Sequence, residues 1–147
     1  MGRIDEFVGK NIAVDTAPVI YYIEDTGPYA DAMDQFFNRL AAGEYKASTS
    51  VITLLEVLVQ PFRQQDDSLE AAYRDILVNA ENFSVFPITS EIAESAARLR
   101  ANYNIRTPDA LQVATALATN SDIFLTNDKQ LKKVAEITVL TLPDLLK

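Results

Sequence analysis

Residues 11–23 read Asn11-Ile12-Ala13-Val14-Asp15-Thr16-Ala17-Pro18-Val19-Ile20-Tyr21-Tyr22-Ile23. The apolar run that starts at Asn11 and stops at Asp15 suits a buried strand entered from a polar leader. Pro18 follows at once, and proline is tolerated in a first helical turn, so residues 17–23 are expected to begin a short helix directly beyond the strand. The same handover from strand to helix repeats along the chain. A helix over residues 29–42 places Ala32, Phe36, Phe37 and Leu40 on one face and stops at Gly43, and residues 45–49 form the next strand. Ser50 then caps a helix from Val51 to about Gln60, where Pro61 weakens continuation. Ser68 caps a further helix reaching Ala80, and residues 83–86 are strand-like. Residues 89–103 carry apolar positions at helical spacing, Thr107 and Pro108 open a helix whose run 110–118 is apolar nearly all round, and residues 123–125 return as a strand. A helix over 129–135 and a strand over 138–140 close the chain. This alternation predicts an α/β fold: a central, mainly parallel sheet of about five strands covered by helices on both faces.

The chain has 147 residues, 48% hydrophobic, with no histidine and no cysteine. That length suits one domain with a real core, expected to span residues 1–147. Hydrolytic chemistry must therefore run on carboxylates, hydroxyls and bound cations; thiol, imidazole and zinc-thiolate mechanisms are excluded. No apolar stretch is long enough to span a bilayer, and the opening residues carry Asp5 and Glu6 rather than a cationic, apolar signal, so a cytoplasmic protein without membrane contact is expected. The net charge of -8, from 13 basic and 21 acidic residues, argues against an indiscriminate nucleic-acid binder. Four of those acids, if convergent, would instead form one pocket that divalent cations neutralise and turn toward phosphate.

The four are Asp15, Glu56, Asp109 and Asp128. Asp15 ends the first strand with Thr16 beside it; the competing explanation is a cap for the helix that Pro18 initiates. Glu56 is the only charge between Val51 and Val59 and shares a narrow polar strip with Thr53 and Gln60, which lines a cleft or simply faces solvent. Asp109 lies in the first turn of its helix, where it complements the helix dipole; since Thr107 supplies a capping oxygen, its carboxylate is free for another task. Asp128 follows the strand segment Leu125-Thr126-Asn127, again where capping competes with ligation. In open α/β sheets ligands bind beyond the carboxyl ends of the strands, and that is the address Asp15 and the segment 126–128 share.

In order and at these intervals, Asp15-Thr16-Ala17-Pro18-Val19-Ile20-Tyr21-Tyr22-Ile23-Glu24, Thr53-Leu54-Leu55-Glu56-Val57, Thr107-Pro108-Asp109-Ala110-Leu111-Gln112-Val113-Ala114-Thr115-Ala116 and Leu125-Thr126-Asn127-Asp128 resemble the PIN-domain ribonucleases, most of all the VapC-type toxins of toxin-antitoxin systems. The resemblance spans nearly the whole chain. It implies a three-layer α/β/α PIN-like fold and a metal site built from Asp15, Glu56, Asp109 and Asp128, supported by the Thr126 hydroxyl, by Thr16 and, more weakly, by Asn127. Hard carboxylate oxygens suit Mg²⁺ or Mn²⁺, and such ions activate an attacking water and neutralise the leaving oxygen without a protein nucleophile. The implied reaction is RNA phosphodiester hydrolysis leaving a 5′-phosphate and a 3′-hydroxyl. The implied partners are an RNA substrate, a cognate antitoxin and a second copy in a homodimer.

RNA affinity must come from outside the acidic floor. Arg106, Lys129, Lys132 and Lys133 are the candidates to hold flanking phosphates, with a solvated helix face as the alternative. Tyr21, Tyr22, Phe36 and Phe37 invite base stacking, but core or dimer packing is the better reading. A phosphatase using Asp15 as nucleophile needs a second aspartate where Ala17 stands, and a phospho-receiver needs paired acids near its first strand. An RNA-processing nuclease of the same fold, or an interaction module that binds without cutting, are the remaining alternatives.

Overall fold

The computed structural model describes residues 3–147. Its five strands are β1 (Asn11–Val14), β2 (Lys46–Ser50), β3 (Phe83–Phe86), β4 (Ile123–Thr126) and β5 (Thr138–Thr141). They form one sheet in the order β3-β2-β1-β4-β5, and every pairing is parallel. The helices are α1 (Thr16–Glu24), α2 (Ala30–Ala41), α3 (Val51–Gln64), α4 (Asp67–Arg74), α5 (Ser90–Asn102) and α6 (Thr107–Ala118).

Strand side chains alternate between faces, and the two cores divide along that alternation. Ile12, Val14, Leu125 and Leu140 join Val19 of α1, Phe36 and Phe37 of α2, Val57 of α3 and Tyr73 of α4. Ala13, Phe124 and Val139 join Ile92 and Leu99 of α5 and Val113 and Ala114 of α6 on the other side. The three-layer α/β/α arrangement thus follows from a period of two in each central strand. The sheet grows outward from β1 through β2 to β3, then resumes on β1's other side with β4. The switch point between β1 and β4 opens a crevice at their carboxyl ends, where Asp15 and Asp128 stand.

Four local expectations are corrected. α3 continues through Pro61 to Gln64. The proline forfeits one N–H but is itself buried, and the helix stops only where Gln65 turns left-handed at φ 52° and the Asp66 N–H returns to Pro61 O at 2.9 Å. Asp66, not Ser68, caps α4, accepting from the Leu69 N–H at 3.0 Å; α4 gives way to a wide π turn at Asp75–Asn79, short of Ala80. The segment after Asp128 is a 3-10 turn, Lys129–Lys133, and not an α-helix to Ala135. Leu131 within it and Val134 just after it are buried and lie three apart, the period of a 3-10 turn. Arg106 occupies the N-cap of α6 without a side-chain cap. The Thr107 hydroxyl instead accepts from Arg100 Nη1 at 2.9 Å.

Phe36 and Phe37 are buried, and Tyr22 stacks on Phe37 with centroids 4.3 Å apart. Tyr21 meets Tyr29 edge to face. These aromatics pack the first core layer, which accounts for them without bases. Among the described residues no helix is long and apolar enough to cross a membrane.

Candidate functional site

β1 carries Asp15 to the crevice, and the sheet holds it there to the last residue: the Asp15 N–H donates to Leu125 O at 2.9 Å. One carboxylate oxygen, Oδ1, accepts from the Thr16 N–H at 2.8 Å, so Asp15 caps α1 as the competing explanation proposed. The other oxygen does different work. Oδ2 accepts from Thr126 Oγ1 at 2.8 Å, and the same hydroxyl oxygen accepts from the Asp128 N–H at 3.1 Å. Thr126 is wholly buried and therefore joins the end of β1 to the loop after β4.

α1 and α3 are linked the same way. Thr16 Oγ1 donates to Glu56 Oε1 at 2.6 Å. Of the strip on α3, Thr53 is wholly buried while Glu56 and Gln60 are exposed, so the strip runs from the core to the crevice mouth. Asp109, only 7% exposed, sits in the first turn of α6 and accepts from Arg106 Nε at 3.2 Å. Asp128 Oδ1 caps the following 3-10 turn through the Gln130 N–H at 2.9 Å.

These elements line one open cleft of about 410 Å³. All four acids border it, together with Thr16, Thr126, Asn127 and Arg106. Lys129, Lys132 and Lys133 do not. Lys132 Nζ instead reaches Asp144 Oδ2 at 2.7 Å, and Lys133 Nζ donates to Asn104 O at 3.0 Å.

Desolvation on the cleft floor raises the Asp15 carboxyl above the usual aspartate value. The hydrogen bonds from Thr16 and Thr126 oppose that rise, and the charges of Asp109 and Glu56 add to it. The Arg106 guanidinium is held more firmly protonated by its hydrogen bond to Asp109, with the charges of Asp109, Asp128 and Glu56 contributing. The acids therefore feel one another, and Arg106 is their counter-charge. Among the described residues no three acidic side chains close into a grouping that would hold a metal ion; each is drawn to a protein partner instead.

One part of the site escaped the sequence reading. Gln112 on α6 is 3% exposed. It accepts from Ser50 Oγ at 2.8 Å and donates from Nε2 to Thr53 Oγ1 at 2.7 Å. The only sequence signal was an amide inside an otherwise apolar, alanine-rich helix, a position more often left to solvent.

The family model for the PIN domain matches residues 12–137, which is most of the chain, so the chain belongs to the PIN-domain family. Solved structures agree on the fold. VapBC2 from Rickettsia felis, bound to a DNA fragment from its promoter, is similar at 17% identity and TM-score 0.71, over 89% of this chain and 98% of that one. A toxin-antitoxin complex from Klebsiella pneumoniae matches at 24% identity and TM-score 0.66, over 89% of this chain and 97% of that one. Mycobacterium tuberculosis VapC20, described as a sarcin-ricin loop cleaving toxin, matches at 18% identity and TM-score 0.61, over 77% and 86% of the two chains. No curated protein sequence matches the chain.

Proposed function

We propose that this protein is a Mg²⁺- or Mn²⁺-dependent endoribonuclease and the toxin of a toxin-antitoxin pair. The observation that carries the reading is the convergence of Asp15, Glu56, Asp109 and Asp128 on one cleft at the switch point of a parallel sheet. Membership of the PIN-domain family supports nuclease activity in general.

The donor set fits a hard divalent cation. The four acids and the two threonines of the cleft offer oxygen, and among the described residues Glu56, Asp109 and Asp128 each engage the protein through a single carboxylate oxygen, leaving the second for a ligand. These three and Asp15 would hold the ion. When bound, the cation supplies Lewis-acid activation of water and neutralises charge at the scissile phosphate. The chain's own residues do the rest. Thr126 and the Thr16 N–H fix the Asp15 carboxylate, Thr16 Oγ1 fixes Glu56, and Arg106, whose side chain is 78% exposed at the rim, would hold an adjoining phosphate. Hydrolysis to a 5′-phosphate and a 3′-hydroxyl, with water rather than a side chain as the attacking group, is what the resemblance to the PIN-domain ribonucleases implies.

The toxin assignment rests on the likeness to the VapBC2 and VapC20 structures and to the Klebsiella pneumoniae toxin-antitoxin complex. α3 adds a feature suited to a protein partner. Leu55, Val59 and Phe62 recur at helical spacing and are exposed beside Glu56, the stripe an antitoxin segment or a second copy would cover.

The test is cleavage of total cellular RNA by purified, antitoxin-free protein with Mg²⁺ or Mn²⁺, beside Asp109→Asn and an EDTA control. Cutting lost in both controls is expected. A metal-loaded wild type that leaves all RNA intact would make this chain a binding module of the same fold.

A further inference from the structure

Resting on the nuclease reading, we infer that Gln112 is a positioning residue for the metal site: its amide steadies the Asp15 carboxylate from behind, on the side facing the core, adding to the shorter bonds from the Thr16 N–H and the Thr126 hydroxyl.

The hydroxyl protons around Gln112 can be assigned one by one. Thr49 Oγ1 donates its single hydrogen to Val14 O at 2.8 Å, and Thr16 Oγ1 commits its own to Glu56 at 2.6 Å. The 2.8 Å contact between Thr49 and Thr53 therefore needs the Thr53 hydrogen. Thr53 Oγ1 is then an acceptor toward Gln112 Nε2 at 2.7 Å, and its longer 3.2 Å approach to Thr16 Oγ1 carries no hydrogen. A flipped amide would demand that same Thr53 hydrogen for its carbonyl and leave the Thr49 contact without one. Ser50 Oγ, which caps α3 by accepting from the Ile52 N–H at 3.1 Å, donates to Gln112 Oε1 at 2.8 Å and completes the arrangement.

The amide orientation is thus fixed by buried hydroxyls on β2 and α3, and its nitrogen faces the floor. Nε2 lies 3.4 Å from Asp15 Oδ1 and 3.5 Å from Thr16 Oγ1. A side chain serving only to stitch α6 to α3 would be satisfied by Ser50 and Thr53. The second N–H, aimed between the carboxylate and the hydroxyl that holds Glu56, exceeds that task. With the carbonyl in its place, Asp15 would face a like dipole and turn away. Gln112 touches neither substrate nor cation; it acts through Asp15.

Two readouts on two variants separate positioning from stitching. Gln112→Met keeps the length and removes the donor; Gln112→Asn keeps the amide but withdraws it by one methylene. Thermal melting in EDTA reads the stitch, and Mn²⁺ titration by calorimetry reads the positioning. Groups that orient metal ligands contribute on the order of ten- to a hundred-fold in metal affinity. Both variants are expected to lose Mn²⁺ affinity on that scale, and to lower kcat on RNA with KM unchanged. Gln112→Asn also draws the amide back from Ser50 and Thr53 and is expected to fold but to melt below wild type, so it carries the test should Gln112→Met not fold. Wild-type Mn²⁺ affinity in either folded variant would overturn the inference while leaving the acidic site intact. A wild-type protein that binds no Mn²⁺ and cuts no RNA would overturn the nuclease reading and this inference with it.

Discussion

Thr126 Oγ1 donates to Asp15 Oδ2 across 2.8 Å, bringing the ends of two adjacent parallel strands into one hydrogen bond at the floor of the cleft. Thr126→Val keeps the shape but strands Asp15 Oδ2 and the Asp128 N–H. Leaving buried polar groups unpaired costs about 1–3 kcal/mol, so urea denaturation should show a loss of that size. Mn²⁺ affinity should fall about ten-fold.

Asp15→Asn should move stability the other way. Burial, with Asp109 and Glu56 nearby, raises the Asp15 carboxyl, so the folded state binds that proton more tightly than the unfolded chain. The sign follows: the stability contributed by the protonated form is present below the ordinary aspartate pKa and is lost as pH rises through the folded value. At neutral pH the ionised group opposes folding. In EDTA the asparagine variant should melt at or above the wild-type temperature at pH 7, and that advantage should shrink on acidification. Metal binding should be lost in the same variant.

Asp144 has the opposite sign. Burial raises its carboxyl, but hydrogen bonds from Lys132, the Thr141 N–H and the Thr141 hydroxyl outweigh burial and hold it well below the usual range. Its contribution is present above the unfolded aspartate value, near 3.9, and is lost as pH falls through the folded value. Lys132→Met removes one partner that is itself half exposed, so about 1 kcal/mol at neutral pH is expected, or about 3 °C in melting temperature. The difference from wild type should narrow as Asp144 protonates in acid.

Arg106→Ala should weaken RNA binding across sequences and reduce the salt dependence by about one phosphate contact, read as the slope of log Kd against log salt. Lys132→Ala and Lys133→Ala should each lose less, because their amines already hold Asp144 and the Asn104 carbonyl. Removing Arg106 also removes the counter-charge of Asp109, so Mn²⁺ should bind the alanine variant more tightly than wild type.

Polar residues at the ends of apolar runs made the acidic cleft legible in the sequence. Asp15 and Asp128 follow strands, and a parallel sheet with its switch point beside β1 brings strand ends together whatever the details of the helices. Glu56 and Asp109 were legible as lone charges on apolar helices. Most of the misreadings concern how a helix starts or stops. Pro61 reads as a breaker, yet its place in the core favours continuation. Ser68 and Thr107 read as caps, yet Asp66 and the Arg106 backbone take those positions. Gln112 was illegible because its partners, Ser50 and Thr53, lie about sixty residues away on another helix terminus. Local pattern carries no record of a partner supplied only by tertiary packing.

If the four carboxylates hold a divalent cation, the ion is visible in an anomalous difference map from crystals grown with Mn²⁺. A peak is expected between Asp15 and the carboxylates of Glu56, Asp109 and Asp128, with Arg106 displaced from Asp109. A cleft without a peak at saturating Mn²⁺, with Arg106 still on Asp109, would contradict it.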